Sequence, residues 1–212
     1  MKRYLSVGCL MMAGALFANA TPVMLSLVTP VQAPIGYYDV AGFRLSLIYG
    51  QCQEFAGLDI GIVDYTSQDF TGIAIGGANI VGERLRGGQL GLINWNSSGA
   101  TDWSRRSAGA QLGLVNYAGT FNGLQDGFVN IADGTFMGLQ TGFLNCTYDM
   151  YGLQCGYYLL LGINVVSGSL CGCQIGLVNY ANRVEGGLQI GIVNIIGQNG
   201  WASVLPIVNG HF

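Results

Sequence analysis

Apolar and polar residues alternate in short blocks along this chain, and the blocks recur. In Gly187-Leu188-Gln189-Ile190-Gly191-Ile192-Val193-Asn194, Leu188, Ile190, Ile192 and Asn194 alternate with Gly187, Gln189, Gly191 and Val193. A period of two predicts a β-strand. Helix is disfavoured on separate grounds, because each of the two glycines would cost ~1 kcal/mol relative to alanine. The Leu and Ile positions define the expected inner face, continued by Leu124 and Phe128 and by Leu139 and Phe143 in other copies. Gln, Gly and Val are then expected to form flat, weakly charged outward stripes.

The block returns about every fifteen residues. Its second glycine marks the phase at Gly61, Gly76, Gly91, Gly113, Gly127, Gly142, Gly156, Gly176 and Gly191, and a worn copy places Ser46 in that slot. One supersecondary unit repeated about ten times predicts an all-β, single repeat domain over residues 42–195, preferably a β-solenoid or β-roll. Between copies lie turn residues such as Ala132-Asp133-Gly134-Thr135, each followed by an apolar residue (Phe70, Leu85, Phe121, Phe136, Met150, Val184) that starts a short second strand.

Stacked in register at ~4.8 Å, such coils place like residues above one another. Gln89, Gln111, Gln125, Gln140, Gln154, Gln174 and Gln189 are expected to form one amide ladder. Asn79, Asn94, Asn116, Asn130, Asn145, Asn179 and Asn194 are expected to form another, with Asp64 in the same slot. An amide suits this position because it donates to one neighbour and accepts from the other. The second glycine is needed either for its backbone angles or for close approach of another chain segment. The sequence leaves both open.

A different closure of the same strands is an antiparallel outer-membrane-type β-barrel forming a pore or anchor. Terminal Phe212 and a face apolar enough for lipid favour it. A directional motif that would reverse at every strand, and Pro206 and Gly210 in the last strand, count against it. Residues 21–41 lack the motif and are assigned as an N-terminal linker or cap, and residues 196–212 as a C-terminal cap, since solenoid ends expose unpaired edges. A 22-residue step holds Trp95, Trp103, Arg105 and Arg106, the candidate binding loop. A 20-residue step containing Tyr157 to Val166 is apolar and is expected to add a β turn rather than a site.

Composition narrows the function. Of 212 residues, 9% are charged and 50% hydrophobic, far from the charge content of an ordinary cytosolic domain. Lys2 and Arg3, an apolar run and Ala18-Asn19-Ala20 predict a signal peptide over residues 1–20. Its removal leaves 6 basic against 11 acidic residues, net −5, so nucleic acid is an unsuitable partner. Five of the six cysteines survive cleavage: Cys52, Cys146, Cys155, Cys171 and Cys173. Cys155 and Cys173 occupy slots that hold Ile and Leu elsewhere and read as small core residues.

Catalysis is not expected. The lone His211 has no partner for nucleophilic work, and Asp59, Asp64, Asp126 and Asp133 carry no local motif. No metal or cofactor is called for, because the turns lack the regular aspartates of calcium rolls. The tandem unit, the export signal and Leu205 to Asn209 resemble the bacterial surface-repeat proteins built from Gly-Leu-Gln-Ile-Gly-Leu-Val-Asn units. That resemblance covers residues 42–195, and residues 110–117, 172–179 and 187–194 carry it best; Ala74 and Asp126 depart from it. It implies residence at the cell surface or outer membrane, with no established activity. The expected role is structural or binding, through an unknown surface ligand or self-association, with outer-membrane association as a further option.

Overall fold

The structure, a computed structural model, describes residues 20–36, 38–98, 106–157 and 161–212, and divides into two compact units, Met1–Asn96 and Ser97–Phe212. All of the expected signal peptide except Ala20 lies outside the described residues. The first unit holds β1 (Ala20–Val28), β2 (Val31–Ala33), β3 (Asp39–Cys52), β4 (Phe55–Thr66), β5 (Phe70–Val81) and β6 (Leu85–Asn96). The second holds β7 (Ser107–Ala118), β8 (Phe121–Gly156), β9 (Ile163–Ile175), β10 (Val178–Gln198) and β11 (Val204–His211).

Successive copies run parallel and in register, motif upon motif. Gly57 pairs with Gly72 and Asp64 with Asn79 between β4 and β5, and Gln111 pairs with Gln125 and Asn116 with Asn130 between β7 and β8. Both units are therefore β-solenoid stacks of about fifteen residues per coil. Parallel neighbours exclude the antiparallel barrel, in which each strand would reverse. Antiparallel pairing occurs where β2 folds back on β1 and where β11 lies along β10. Although residues 21–41 lack the motif, β1 stacks on β3 as a further coil, with Met24 over Arg44 and Ser26 over Ser46.

The two glycines of each motif do different work. The first adopts φ of 135° to 153° from Gly42 through Gly172, a region closed to side chains. At Gly57 an added Cβ would lie 1.9 Å from the carbonyl oxygen of Gly42. The second glycine needs space instead: at Gly91 an added Cβ would lie 2.5 Å from the Gly76 oxygen and 2.6 Å from Asn79 Nδ2.

The expected inner and outer faces are reversed. Gln and Asn point inward and are fully buried, whereas the Leu and Ile positions point outward: Ile62 is 58%, Leu92 60%, Leu114 57% and Ile192 60% exposed. A strand with two distinct faces does not by itself say which is buried. The motif glycines share the buried face with Gln and Asn, and there an added Cβ would strike the neighbouring coil. The interior also takes the apolar residue that precedes each motif, with Phe55 stacked on Phe70 at 5.0 Å in the first unit and Phe121 on Phe136 at 5.9 Å in the second. Alternation slips once per coil, after the second glycine. There two consecutive residues face out, as Ile62 and Val63 do, before Asp64 turns in.

Candidate functional site

Inside the second unit the amides form two continuous ladders. Gln125 Nε2 donates to Gln111 Oε1, Gln140 to Gln125, Gln154 to Gln140, Gln174 to Gln154 and Gln189 to Gln174, each at 2.7 Å. A second bond crosses the coil to a carbonyl six residues on, such as Gln174 Nε2 to Tyr180 O at 3.1 Å. Asn116, Asn130, Asn145, Asn164, Asn179 and Asn194 are linked likewise at 2.7 to 2.9 Å, each Nδ2 donating to the next Oδ1. Each of these Nδ2 groups also reaches a carbonyl of the following coil, as Asn130 does to Thr141 O at 2.7 Å. The Gln ladder donates toward the chain start and the Asn ladder toward the chain end, so the two rows of amide dipoles oppose each other. Each bond nets only about 0.5–1.5 kcal/mol, but an orphaned buried amide costs about 1–3 kcal/mol, so the ladder fixes register more strongly than it adds stability.

Asn164 is a further rung that the eight-residue motif does not contain. The 20-residue step inserts its extra residues between the second glycine, Gly156, and the asparagine, so the eight-residue pattern is broken although Asn164 lies fifteen before Asn179. Tyr157 and Leu161 close the insertion as an antiparallel bridge. Asn209 of β11 faces Gln189 and donates to Ala202 O at 2.8 Å.

In the first unit, Gln89 donates to Asn79 O at 3.1 Å and Asn79 Nδ2 to Asn94 Oδ1 at 2.9 Å. Earlier coils replace the amides with charge. Arg44 and Asp59 occupy successive Gln slots, Asp64 an Asn slot, and they are 0%, 1% and 2% exposed. Arg44 grips Asp59 with two bonds, Nε to Oδ1 at 2.8 Å and Nη2 to Oδ2. Its Nη1 reaches Cys52 Sγ at 3.0 Å and Tyr65 O at 3.3 Å, and Nε lies 3.9 Å from Asp64 Oδ1. Burial opposes the Arg44 charge, but the Asp59 hydrogen bond and the surrounding negative groups outweigh it and hold its pKa above the ordinary range. Burial pushes the Cys52 thiol up to about 11, so it stays protonated at neutral pH. The sequence held the signal for this pair: Arg44 lies fifteen residues before Asp59 in a slot that elsewhere holds Gln.

The outer face is the opposite in chemistry. Leu90 and Leu92 stand exposed in the first unit, and Leu114, Phe128, Phe143 and Ile192 in the second, where the Phe128 and Phe143 rings stack at 5.0 Å. A shallow apolar hollow of about 290 Å³ lies between Ile190 to Ile192 and Pro206 and Ile207. Of the candidate loop, Trp95 is the penultimate residue of β6 in the first unit and is 40% exposed, whereas half-buried Arg106 belongs to the second and places Nη1 3.8 Å from Met137 Sδ. Trp103 and Arg105 lie outside the described residues. Asp126 accepts a 2.6 Å bond from Thr141, and Asp133 a 2.5 Å bond from Tyr117. Among the described residues no group of three His, Cys, Asp or Glu side chains is placed to hold a metal, and the five cysteines are free. Comparison with protein-family models, with curated proteins and with solved structures gives no match.

Proposed function

We propose that this chain is an exported repeat protein of the bacterial cell envelope, of the surface-repeat kind that its tandem units resemble. It works without catalysis, as a structural module that associates with further copies of itself through its apolar outer face. The observation that carries this reading is the inverted coil. Amide ladders, an aromatic or aliphatic column and a column of smaller side chains such as Val81, Ala118 and Val166 fill the interior, and the Leu, Ile and Phe stripes are left in water. Fully burying one such side chain is worth about 1.5–3 kcal/mol, so contiguous exposed stripes favour association. Stripes that repeat at the strand spacing are self-complementary, since a second copy presents the same ridges.

Val115 and Val193, half-buried beside Leu114 and Ile192, belong to the same outward stripe. Sedimentation of the mature chain is expected to show concentration-dependent association that the double variant Leu114→Glu, Ile192→Glu abolishes, with its β-sheet circular dichroism unchanged. A wild-type chain that stays monomeric at all concentrations, or a double variant that associates as before, would sink the proposal. Binding to lipid vesicles without self-association would move the same face to a membrane role. Export is tested separately by the N-terminal mass of the secreted chain, expected to begin at Thr21.

A further inference from the structure

We infer that Asp64 is a neutral carboxylic acid in the folded protein and that its O–H takes the place of the missing asparagine N–H, donating to Asn79 Oδ1 to complete the ladder. Elsewhere in this column the lower amide nitrogen feeds the upper amide oxygen, as Asn79 feeds Asn94 in the first unit and Asn116 feeds Asn130 in the second. Asp64 pairs in register with Asn79, yet Asn79 Oδ1 and both Asp64 oxygens have no hydrogen-bond partner. Position agrees with this role. A Cβ built on Gly91 would meet Asn79 Nδ2 at 2.6 Å and Asn94 Oδ1 at 3.3 Å, and one on Gly76 meets Asp64 Oδ2 at 3.3 Å and Asn79 Oδ1 at 3.0 Å. Asp64 Oδ2 therefore lies beside Asn79 Oδ1, on the side from which the donating nitrogen comes one coil on.

An ionised Asp64 would set a buried carboxylate oxygen against the Asn79 oxygen, two acceptors with no hydrogen between them. A single proton removes the charge and gives Asn79 Oδ1 a donor. The surrounding charges permit this. From β3, Arg44 and Cys52 face the site; from β4 itself, Asp59; and β5, Phe70–Val81, contributes no ionisable side chain. Arg44 is already committed to Asp59 by a two-bond fork, so it leaves Asp64 only a 3.9 Å contact. Burial first, and then the neighbouring Asp59 charge, push Asp64 up to about 7, with Arg44 and then the Ser46 hydroxyl offsetting part of the rise.

The direction of the pH effect follows. An acid whose folded value lies above its unfolded value of about 3.9 binds its proton preferentially in the native state. Its stabilising contribution is complete at low pH, is lost as pH rises toward 7, and is constant above. Acidification thus tightens the junction of β4 with β5, making it a proton-operated lock in the first unit.

The test is urea unfolding of the full chain between pH 5 and 8, for the wild type and for Asp64→Asn, with ¹³C NMR of the Asp64 carboxyl. Relative to Asp64→Asn, the wild-type unfolding constant is expected to rise by up to about tenfold per pH unit between about 5 and 7. The carboxyl is expected to titrate near 7, and Asn79→Ala, which removes the acceptor, to lower that midpoint. An Asp64 already ionised at pH 5 would overturn the inference, as would identical pH profiles for wild type and Asp64→Asn. An unchanged midpoint in Asn79→Ala would show that burial and the Asp59 charge raise it without Asn79 and would overturn the donor role. If a variant fails to fold, the wild-type carboxyl titration decides.

Discussion

At the scale of the residue, the fold separates two kinds of glycine that composition counts alike. Gly57 has a φ of 141° and a carbonyl oxygen where its Cβ would go, so no other residue fits without moving the backbone of the coil below. Gly88 occupies a slot that other copies fill with Leu, and an added Cβ there meets nothing within 4 Å. Gly57→Ala is accordingly expected to destabilise by more than about 2 kcal/mol, the strained backbone angle and the overlap acting together. Gly88→Ala is expected to be neutral or to stabilise by about 0.4–1 kcal/mol, through lost freedom in the unfolded chain. Denaturant midpoints of the two variants check the contrast, and similar losses for both would contradict the stacked-coil geometry.

At the scale of the element, the coil is the interchangeable part, because each one is satisfied by the coil before and the coil after. Deleting residues 125–139 joins Leu124 to Gln140 and sets Gln140 over Gln111, restoring the same ladder one rung shorter. That chain is expected to fold with a cooperative thermal transition and unchanged strand signature, whereas deletion of 125–131, half a period, is expected to leave it unfolded. Circular dichroism melts distinguish the two, and equal behaviour would contradict register control by the ladders. This periodicity is the part of the fold that the sequence makes legible. Glycine, glutamine and asparagine at fixed spacing can satisfy one another only if neighbours run the same way, and they do. Which face is inside was not legible, because hydrophobicity points Leu188 and Ile192 inward, while steric crowding and amide pairing reserve the interior for Gln189 and Asn194. The Arg44–Asp59 pair is legible only through the repeat. Read along the chain these are isolated charges, and only the fifteen-residue offset places one above the other.

At the scale of the whole molecule, charge and apolar surface have exchanged their usual places. The most deeply buried ionic group among the described residues, Arg44 with Asp59, is inside, while the half-buried pair Arg84 with Asp69 sits at a turn where water screens it to ~0–1 kcal/mol. With 8 basic and 11 acidic residues in 212, too few charges stand on the surface to direct association. Attraction between copies must then come from apolar area, and its dependence on salt has a definite form. Raising sodium chloride from about 0.01 M to 0.15 M shortens the screening length from about 30 Å to about 8 Å, and is expected to change self-association little. Sodium sulfate, which is excluded from protein surface and strengthens apolar burial, is expected to increase it progressively. Sedimentation velocity across both salt series provides the measurement. Dissociation by sodium chloride would mean that the few surface charges join the copies, and the Leu, Ile and Phe stripes would lose their assigned role.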